Sequence, residues 1–455
     1  MSHTSNPVAA PIAPPTRPLE RFLRLFTDVR DGEGPQLLLL AFNTFLILSS
    51  YYLMKPVREV LILDQPGGAE LKSYAYGAQA VLLLAIVPLY GALAARLSRQ
   101  RLINIVTLFF IACLPLFWWA AGAEAPIGFV FFLWTGIFSL MVIAQFWGYA
   151  NDIYSVEAGK RLFAVIAFGS SAGAVFGAWL AGRLVRELGA PPLLLVAAGV
   201  LSVSLVLFNL TDRRVLRGEN AGQAQQAQAV IGGQGPFRLV LGDRYLLLMA
   251  LVILLLNCIN SAGEYILSSI VKQAADAQVA AGTMTHAEVR RFIGGFFADY
   301  FGIVNLAGML LQLFVVSRMV KWIGVPAALL VLPVVAFGSY AVAALLPTLV
   351  AVRWAKVAEN SVDYSLMNTV RHMLFLPTTR EQKYKAKQVI DSFAARAGDV
   401  VSAGIVFLGT SVLTLSVAHF AWINVALVVV WIAVCAATGA EFRRRSAAAE
   451  PAPDA

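Results

Sequence analysis

Charge is what this sequence most lacks. Only 13% of its 455 residues are charged, while 59% are hydrophobic; soluble domains carry about twice that share of charge. So thin a polar surface cannot shield so large an apolar complement from water, which excludes the three soluble domains that length alone suggests. Cysteine is scarce as well. Cys113, Cys258 and Cys435 each sit inside an apolar run, so neither a disulfide framework nor a CxxC metal knuckle is available. Four scattered histidines form no HExxH, and no GxxxxGK[ST] loop is present to cradle phosphates for hydrolysis. No nucleophile–base pair stands out either, so the expectation is no metal, no cofactor and no enzymatic reaction. A mean hydropathy of +0.73 points instead to a polytopic helical membrane protein, with roughly 20 apolar residues per span.

Twelve apolar runs are long enough to span, near residues 35–59, 72–95, 102–122, 126–150, 162–186, 191–211, 244–270, 292–317, 325–345, 347–370, 388–410 and 414–440. The first 34 residues hold five prolines and no apolar run of signal-peptide type, so a cleavable leader is not expected. Leu19 to Val29 reads as an amphipathic helix lying on the membrane surface, with Leu19, Phe22, Leu23 and Phe26 on one face. Residues 212–243 open on Asp-Arg-Arg and continue rich in Gly, Gln and Ala, the composition of a flexible linker. The expected organisation is therefore a terminal segment 1–34, a six-helix bundle 35–211, a linker 212–243, a second six-helix bundle 244–440 and a tail 441–455.

Basic residues set the orientation. Of the 35 lysines and arginines, 24 fall in segments on the side of the termini and 8 at or near the opposite side. The positive-inside rule then puts both termini in the cytoplasm of a bacterial-type inner membrane. It also accounts for the net charge of +9 without any nucleic-acid partner.

The remaining charges lie inside spans, where an ionisable group costs about 2.5–3.5 kcal/mol and normally faces protein or a water-filled cavity. Span 1 aligns Tyr51, Lys55 and Arg58 on one helical face; span 4 ends in Gln145, Tyr149 and Asp152; span 7 aligns Asn257, Ser261, Glu264 and Ser268. Span 10 aligns Arg353, Lys356, Asn360 and Asp363 with Glu359 at the edge, and span 11 adds Asp391, Arg396 and Asp399. Polar stripes on spans 1, 4, 7 and 10 mark the first helix of each of four three-helix units, the arrangement in which major-facilitator-type transporters line a central cavity. The competing reading is internal ion pairing, above all Arg353 with Asp363 and Arg396 with Asp399. Gly169, Gly173 and Gly177 form GxxxGxxxG on span 5, a close-packing signature. The basic loop from Gly91 through Arg96, Arg99 and Arg101 resembles the gating loop of major facilitators.

Four stretches carry a more specific resemblance: Ser49-Ser-Tyr-Tyr-Leu-Met-Lys55-Pro-Val-Arg58-Glu, Phe146-Trp-Gly-Tyr-Ala-Asn151-Asp152-Ile, Gly159-Lys-Arg-Leu-Phe163 and Lys383-Tyr-Lys-Ala-Lys387-Gln-Val-Ile-Asp391. They resemble the ATP/ADP translocase (nucleotide transporter) family within the major facilitators, and the similarity runs through nearly all of the twelve-span region. The resemblance implies exchange of ATP for ADP without hydrolysis. It implies binding roles for Lys55, Asp152, Glu264 and a lysine among Lys383, Lys385 and Lys387. It departs in span 10, where Asp363-Tyr-Ser-Leu-Met-Asn368 stands in place of a usual lysine and aspartate, and at Asp152, where glutamate is usual. A related phosphorylated cargo therefore stays open.

The residues themselves also suit an anion, since lysine is a compact donor for phosphate oxygens. The candidate binding set is Tyr51, Lys55, Arg58, Asn151, Asp152, Glu264, Lys356, Asp363, Lys383, Lys385 and Lys387. Asp152 and Glu264 are expected to hold the lysines apart in the empty site, or to meet ribose and base. Tyr51, Tyr52 and Tyr149 are candidates to stack on adenine, against the alternative of interfacial anchors. At helical spacing Lys383 and Lys387 share a face, with Glu264 the expected counter-charge of the cluster. The expected partners are a nucleotide or other phosphorylated anion and the lipid bilayer, with the monomer as the working unit. Two other classes compete: a proton-coupled major facilitator for another solute, with Asp152 or Glu264 carrying the proton, and a non-transporting membrane scaffold.

Overall fold

An apolar chain in lipid has no water to satisfy its peptide groups, so each span must close its own backbone hydrogen bonds as a helix. The computed structural model describes residues 20, 23–24, 27–30, 32–94, 96–154, 156–216, 236–379, 382, 386–387 and 389–449. The first bundle comprises α1 (Glu33–Leu63), α2 (Gly68–Ala94), α3 (Arg99–Gly122), α4 (Gly128–Ile153), α5 (Val156–Leu188) and α6 (Leu193–Leu216). The second comprises α7 (Arg244–Ala280), α8 (His286–Phe314), α9 (Val316–Leu345), α10, α11 and α12 (Val417–Ala449). Three of these are interrupted, α9 by a kink at Gly324, whose φ of 75° is left-handed. α10 runs Leu349–Val362, widens to a π turn over Asp363–Met367 and continues as Asn368–Met373. α11 is α-helical over Ala395–Phe407 between π turns Val389–Ala394 and Leu408–Val412.

Among the described residues, eleven helices are long and apolar enough to cross a membrane. α10 does not qualify because Arg353, Lys356, Glu359 and Asp363 interrupt its apolar run. α7 has 37 residues and is roughly 55 Å long, well beyond a hydrocarbon core of about 30 Å.

Packing follows the small residues. Gly169, Gly173 and Gly177 of α5 lie against the carbonyls of Ala41, Phe45 and Ser49 of α1, where any Cβ would collide with backbone. Ser49 Oγ donates to the Gly173 carbonyl at 3.2 Å across the same seam. In the second bundle α7 packs on α11 and α12, and α9 on α12. The bundles meet through four helix pairs: α5 with α8, α2 with α11, α1 with α8 and α2 with α7. We call the face where α1 begins and α12 ends the near face, and that of the α1–α2 turn the far face.

Asp243 anchors the start of α7. Its carboxylate accepts from the Tyr245 and Leu246 amides at 2.9 and 3.2 Å and from Arg445 at the end of α12 at 2.8 Å. Burial pushes this carboxyl up, but the Arg445 contact and the two amides outweigh it and hold it below its usual range.

Two segment readings need comment. Residues 212–216 of the expected linker continue α6, Asp212 being buried, while 217–235 lie outside the described residues. Of the expected surface helix, Leu19, Phe22 and Phe26 lie outside the described residues; Leu23 and Val29 are buried against the protein.

Candidate functional site

The KP-x-R run of α1 places Lys55 and Arg58 roughly two turns and one and a half turns from the far end of that helix, both buried. Lys55 Nζ lies 4.1 Å from the ring centre of Phe301 on α8, 4.9 Å from Tyr52 and 5.5 Å from Tyr51. Among the described residues it has no hydrogen bond and no carboxylate at ion-pair distance. Three aromatic faces, each stabilising a desolvated ammonium by about 2 kcal/mol, offset much of the several kcal/mol of its desolvation without supplying a counter-charge.

Around it runs an ion network joining the two bundles. Arg58 Nε donates to Glu59 at 3.1 Å while its guanidinium stacks on Phe132, 4.3 Å from the ring centre. Lys72 on α2 lies 2.7 Å from Glu59 and 3.1 Å from Glu264 on α7, and donates to Ser268 at 2.9 Å. Glu264 also accepts from Asn360 of α10 at 3.4 Å, and Asn360 donates to Tyr300 at 2.6 Å. Beside it Lys356 pairs with Glu359 at 3.1 Å, and the Tyr340 hydroxyl donates to Glu359 at 2.8 Å. Gly263 makes room for this group, because a Cβ there would meet both the Tyr340 hydroxyl and Lys356 Nζ. Lys55, Arg58, Lys72 and Lys356 thus face Glu59, Glu264 and Glu359, leaving one positive charge in excess.

Ion pairs between bundles among the described residues are confined to the far face. They are Lys72–Glu264, Arg186–Asp299 at 3.3 Å and Arg290–Asp64 at 2.7 Å. The hydrogen bonds Tyr265–Glu70 and Tyr74–Thr410 join the bundles on the same side. The near-face ion pairs stay within one bundle: Arg99–Asp152, Arg161–Glu33, Lys387–Asp391 and Arg445–Asp243. The molecule is tied shut on the far side.

The α4 stripe does not join this network. Asp152 lies at the near end of α4, the opposite end from Lys55, and pairs with Arg99 at 2.9 Å. Arg99 covers the buried ring of Tyr149, 4.8 Å from its centre, so that ring is already stacked. Gln145 donates to Tyr90 at 3.0 Å, and Asn151 turns back to the Trp147 carbonyl at 2.9 Å. Tyr90, Arg99, Gln145, Tyr149 and Asp152 line a cavity of about 380 Å³ among α2, α3 and α4. The basic start of α3 attracts the carboxylate, which sequence periodicity along α4 alone does not reveal.

Nor does Glu264 serve Lys387; its ion-pair partner is Lys72. Lys387 instead pairs with Asp391 at 3.1 Å and meets His372 at 2.9 Å on the near face, while Lys383 and Lys385 lie outside the described residues. Arg353 does not pair with Asp363 but stacks on Phe296, 5.3 Å from the ring centre. Arg396 does pair with Asp399, at 2.9 Å. Asp363 sits at the π turn of α10, beside a cavity of about 340 Å³ shared with Tyr364, Asn368 and Arg371, and has no ion pair among the described residues.

Lys72 and the aromatic wall from α8 escaped sequence reading. The signal for Lys72 was its place one turn inside Gly68, the true start of α2, rather than at the edge of the apolar run.

Residues 40–373 match the model of the Major Facilitator Superfamily. ADP,ATP carrier protein 1 of Chlamydia muridarum is 25% identical, over 89% of this chain and 88% of that protein. ADP,ATP carrier protein 2 of Chlamydia pneumoniae is 21% identical, over 95% and 93%. Among solved structures, the nucleoside transporter NupG superposes with a TM-score of 0.62 at 13% identity, over 88% of this chain and 98% of NupG. A POT family transporter in complex with 5-aminolevulinic acid superposes with a TM-score of 0.65 at 14% identity, over 90% and 96%.

Proposed function

The chain belongs to the Major Facilitator Superfamily and is a multi-pass membrane transporter rather than an enzyme, and from that premise we propose that it exchanges nucleotides, or related phosphorylated anions, by alternating access. The observation that carries this reading is Lys55, a buried ammonium between the bundles with aromatic rings around it and, among the described residues, no carboxylate at ion-pair distance. The name ADP,ATP carrier borne by several relatives supports the same cargo.

In this reading both termini are cytoplasmic, as the distribution of basic residues supports, and the far face is periplasmic. The closed far side is then an inward-facing state. A phosphate chain entering from the near side is drawn to Lys55 and competes with Glu59 and Glu264 for Lys72. Once Lys72 turns to the cargo, the tie between α2 and α7 weakens and the far side opens. Without cargo the lysine returns to its carboxylates, which couples movement in one direction to a load and so favours exchange over leak. Arg58 and Lys356 remain neutralised by Glu59 and Glu359 and shape the field around the phosphates.

Uptake of labelled ATP into proteoliposomes preloaded with ADP, compared with empty ones, tests this directly. Uptake that requires internal nucleotide supports exchange; uptake indifferent to it, or none, removes it. A second reading is favoured by Asp363, which borders a polar cavity without an ion-pair partner: a proton-coupled carrier in which Asp363, rather than the paired Asp152 or Glu264, takes the proton. Uptake that collapses with the proton gradient and needs no internal nucleotide would favour it.

A further inference from the structure

On the far face, where α5 ends and α10 begins, a lateral cavity of about 520 Å³ opens among α5, α8 and α10. Three arginines line it: Arg186 from α5, Arg291 from α8 and Arg353 from α10. Arg186 is held by Asp299 across the bundle seam at 3.3 Å. Arg291 and Arg353 have neither an ion pair nor a hydrogen bond among the described residues, and Arg353 Nε is buried with no acceptor. The other acid on the cavity, Glu288, is used by the Thr285 cap of its own helix.

The surroundings are those of a membrane boundary. Val350 and Trp354 are exposed at the first turns of α10, and the Arg353 guanidinium lies over Phe296. Tryptophan near a helix end marks the headgroup level of a bilayer, and Arg353, the residue before Trp354, lies at that level. α8 extends roughly 20 Å past Asp299, so it walls the cavity on the aqueous side. A soluble anion has no apolar contact to make with Val350 and Trp354, whereas a lipid has both parts.

We propose that this cavity binds the phosphate headgroup of an anionic phospholipid in the far leaflet, its acyl chains lying along Trp354. The phosphate satisfies Arg291 and Arg353 and competes with Asp299 for Arg186. Because Arg186–Asp299 ties α5 to α8, an occupied cavity loosens one of the three ion pairs that close the far side. Lipid charge then biases the transport cycle independently of what the central site carries.

Trp354 is a native reporter. The protein is placed in phosphatidylcholine nanodiscs containing either brominated phosphatidylglycerol or brominated phosphatidylcholine, and tryptophan quenching is read as the difference from Trp354→Phe. Phosphatidylglycerol is expected to quench that component preferentially. The preference should fall about fivefold for each arginine removed in Arg291→Gln and Arg353→Gln. Arg353→Lys, which keeps the charge in case the neutral variants do not fold, should retain most of it. Equal quenching by the two lipids, or a preference unchanged in Arg291→Gln/Arg353→Gln, would overturn the proposal. Excess inorganic phosphate is expected not to displace the lipid; displacement would assign the cavity to a soluble anion instead.

Discussion

Lys72→Gln should open the far side of the transporter, and the size of the effect follows from its neighbours. In the closed state Lys72 neutralises two carboxylates, Glu59 at 2.7 Å and Glu264 at 3.1 Å. After the change Glu59 keeps Arg58, while Glu264 keeps the Asn360 amide at 3.4 Å and the longer-range attraction of Lys356 and Lys55. A buried carboxylate stripped of its cation costs about 3–5 kcal/mol. The remaining amide and entering water put this case near the lower end, so the closed-to-open ratio should fall roughly a hundredfold. Glu264→Gln alone should cost much less, because Lys72 retains Glu59. Lys72→Gln/Glu264→Gln should recover most of the loss, since Glu59 keeps Arg58 and no carboxylate is left without a cation, giving a strongly non-additive cycle. Spin labels on Pro66→Cys and Ala277→Cys, exposed positions on the two bundles at the far face, read the opening by pulsed distance measurement. Distances unchanged in Lys72→Gln, or additive effects across the cycle, would refute the assignment of this network as the far-side closure.

Gly173→Ala should lower thermal stability by about 1–3 kcal/mol, since the new Cβ meets the Phe45 carbonyl at the α1–α5 seam; an unchanged unfolding midpoint in detergent would argue against that contact. Asp243→Asn should keep the α7 cap, since asparagine accepts the same amides, but weaken the Arg445 tie by about 1 kcal/mol at neutral pH. The native carboxyl is held below its usual value, so its contribution is present above the unfolded value of about 3.9 and is lost as pH falls through the lower folded one. Thermal scans of both proteins should therefore converge in acid, and a gap that persists there would exclude the charge as the cause. Asp152→Asn should leave nucleotide binding within about threefold of wild type, because the carboxylate serves Arg99 at the near face; loss of binding measured on the purified variant would return Asp152 to the cargo site.

Much of the architecture is legible in the sequence. Twelve apolar runs, the asymmetry of basic residues and the glycine triplet on α5 each act locally, through burial, orientation and close approach. The site was legible only in part. Lys55, Arg58, Glu264 and Lys356 declare themselves because a charge in an apolar run is costly wherever it points. Their partners do not. Lys72 meets Glu264 across 192 positions of sequence, and Phe301 completes the wall around Lys55 from a helix whose own pattern is merely apolar. Periodicity assigns a residue to a helix face but not the direction that face takes once the helix is packed. For that reason the α4 stripe, similar in pattern to that of α1, turned toward Arg99 instead of the centre. The π turn at Asp363 is likewise invisible in composition, though it places that carboxylate beside a cavity.

The central claim is that Lys55 is unpaired because its partner is the cargo. Calorimetric binding of ATP and ADP to the purified protein and to Lys55→Gln measures this most directly, with folding checked by thermal unfolding. The expected result is saturable nucleotide binding by the wild type, binding weakened at least about tenfold in Lys55→Gln, about one charge-assisted contact, and Lys55→Arg between the two because its fork has a different reach. A Lys55→Gln protein that folds and binds nucleotide as tightly as the wild type would contradict it.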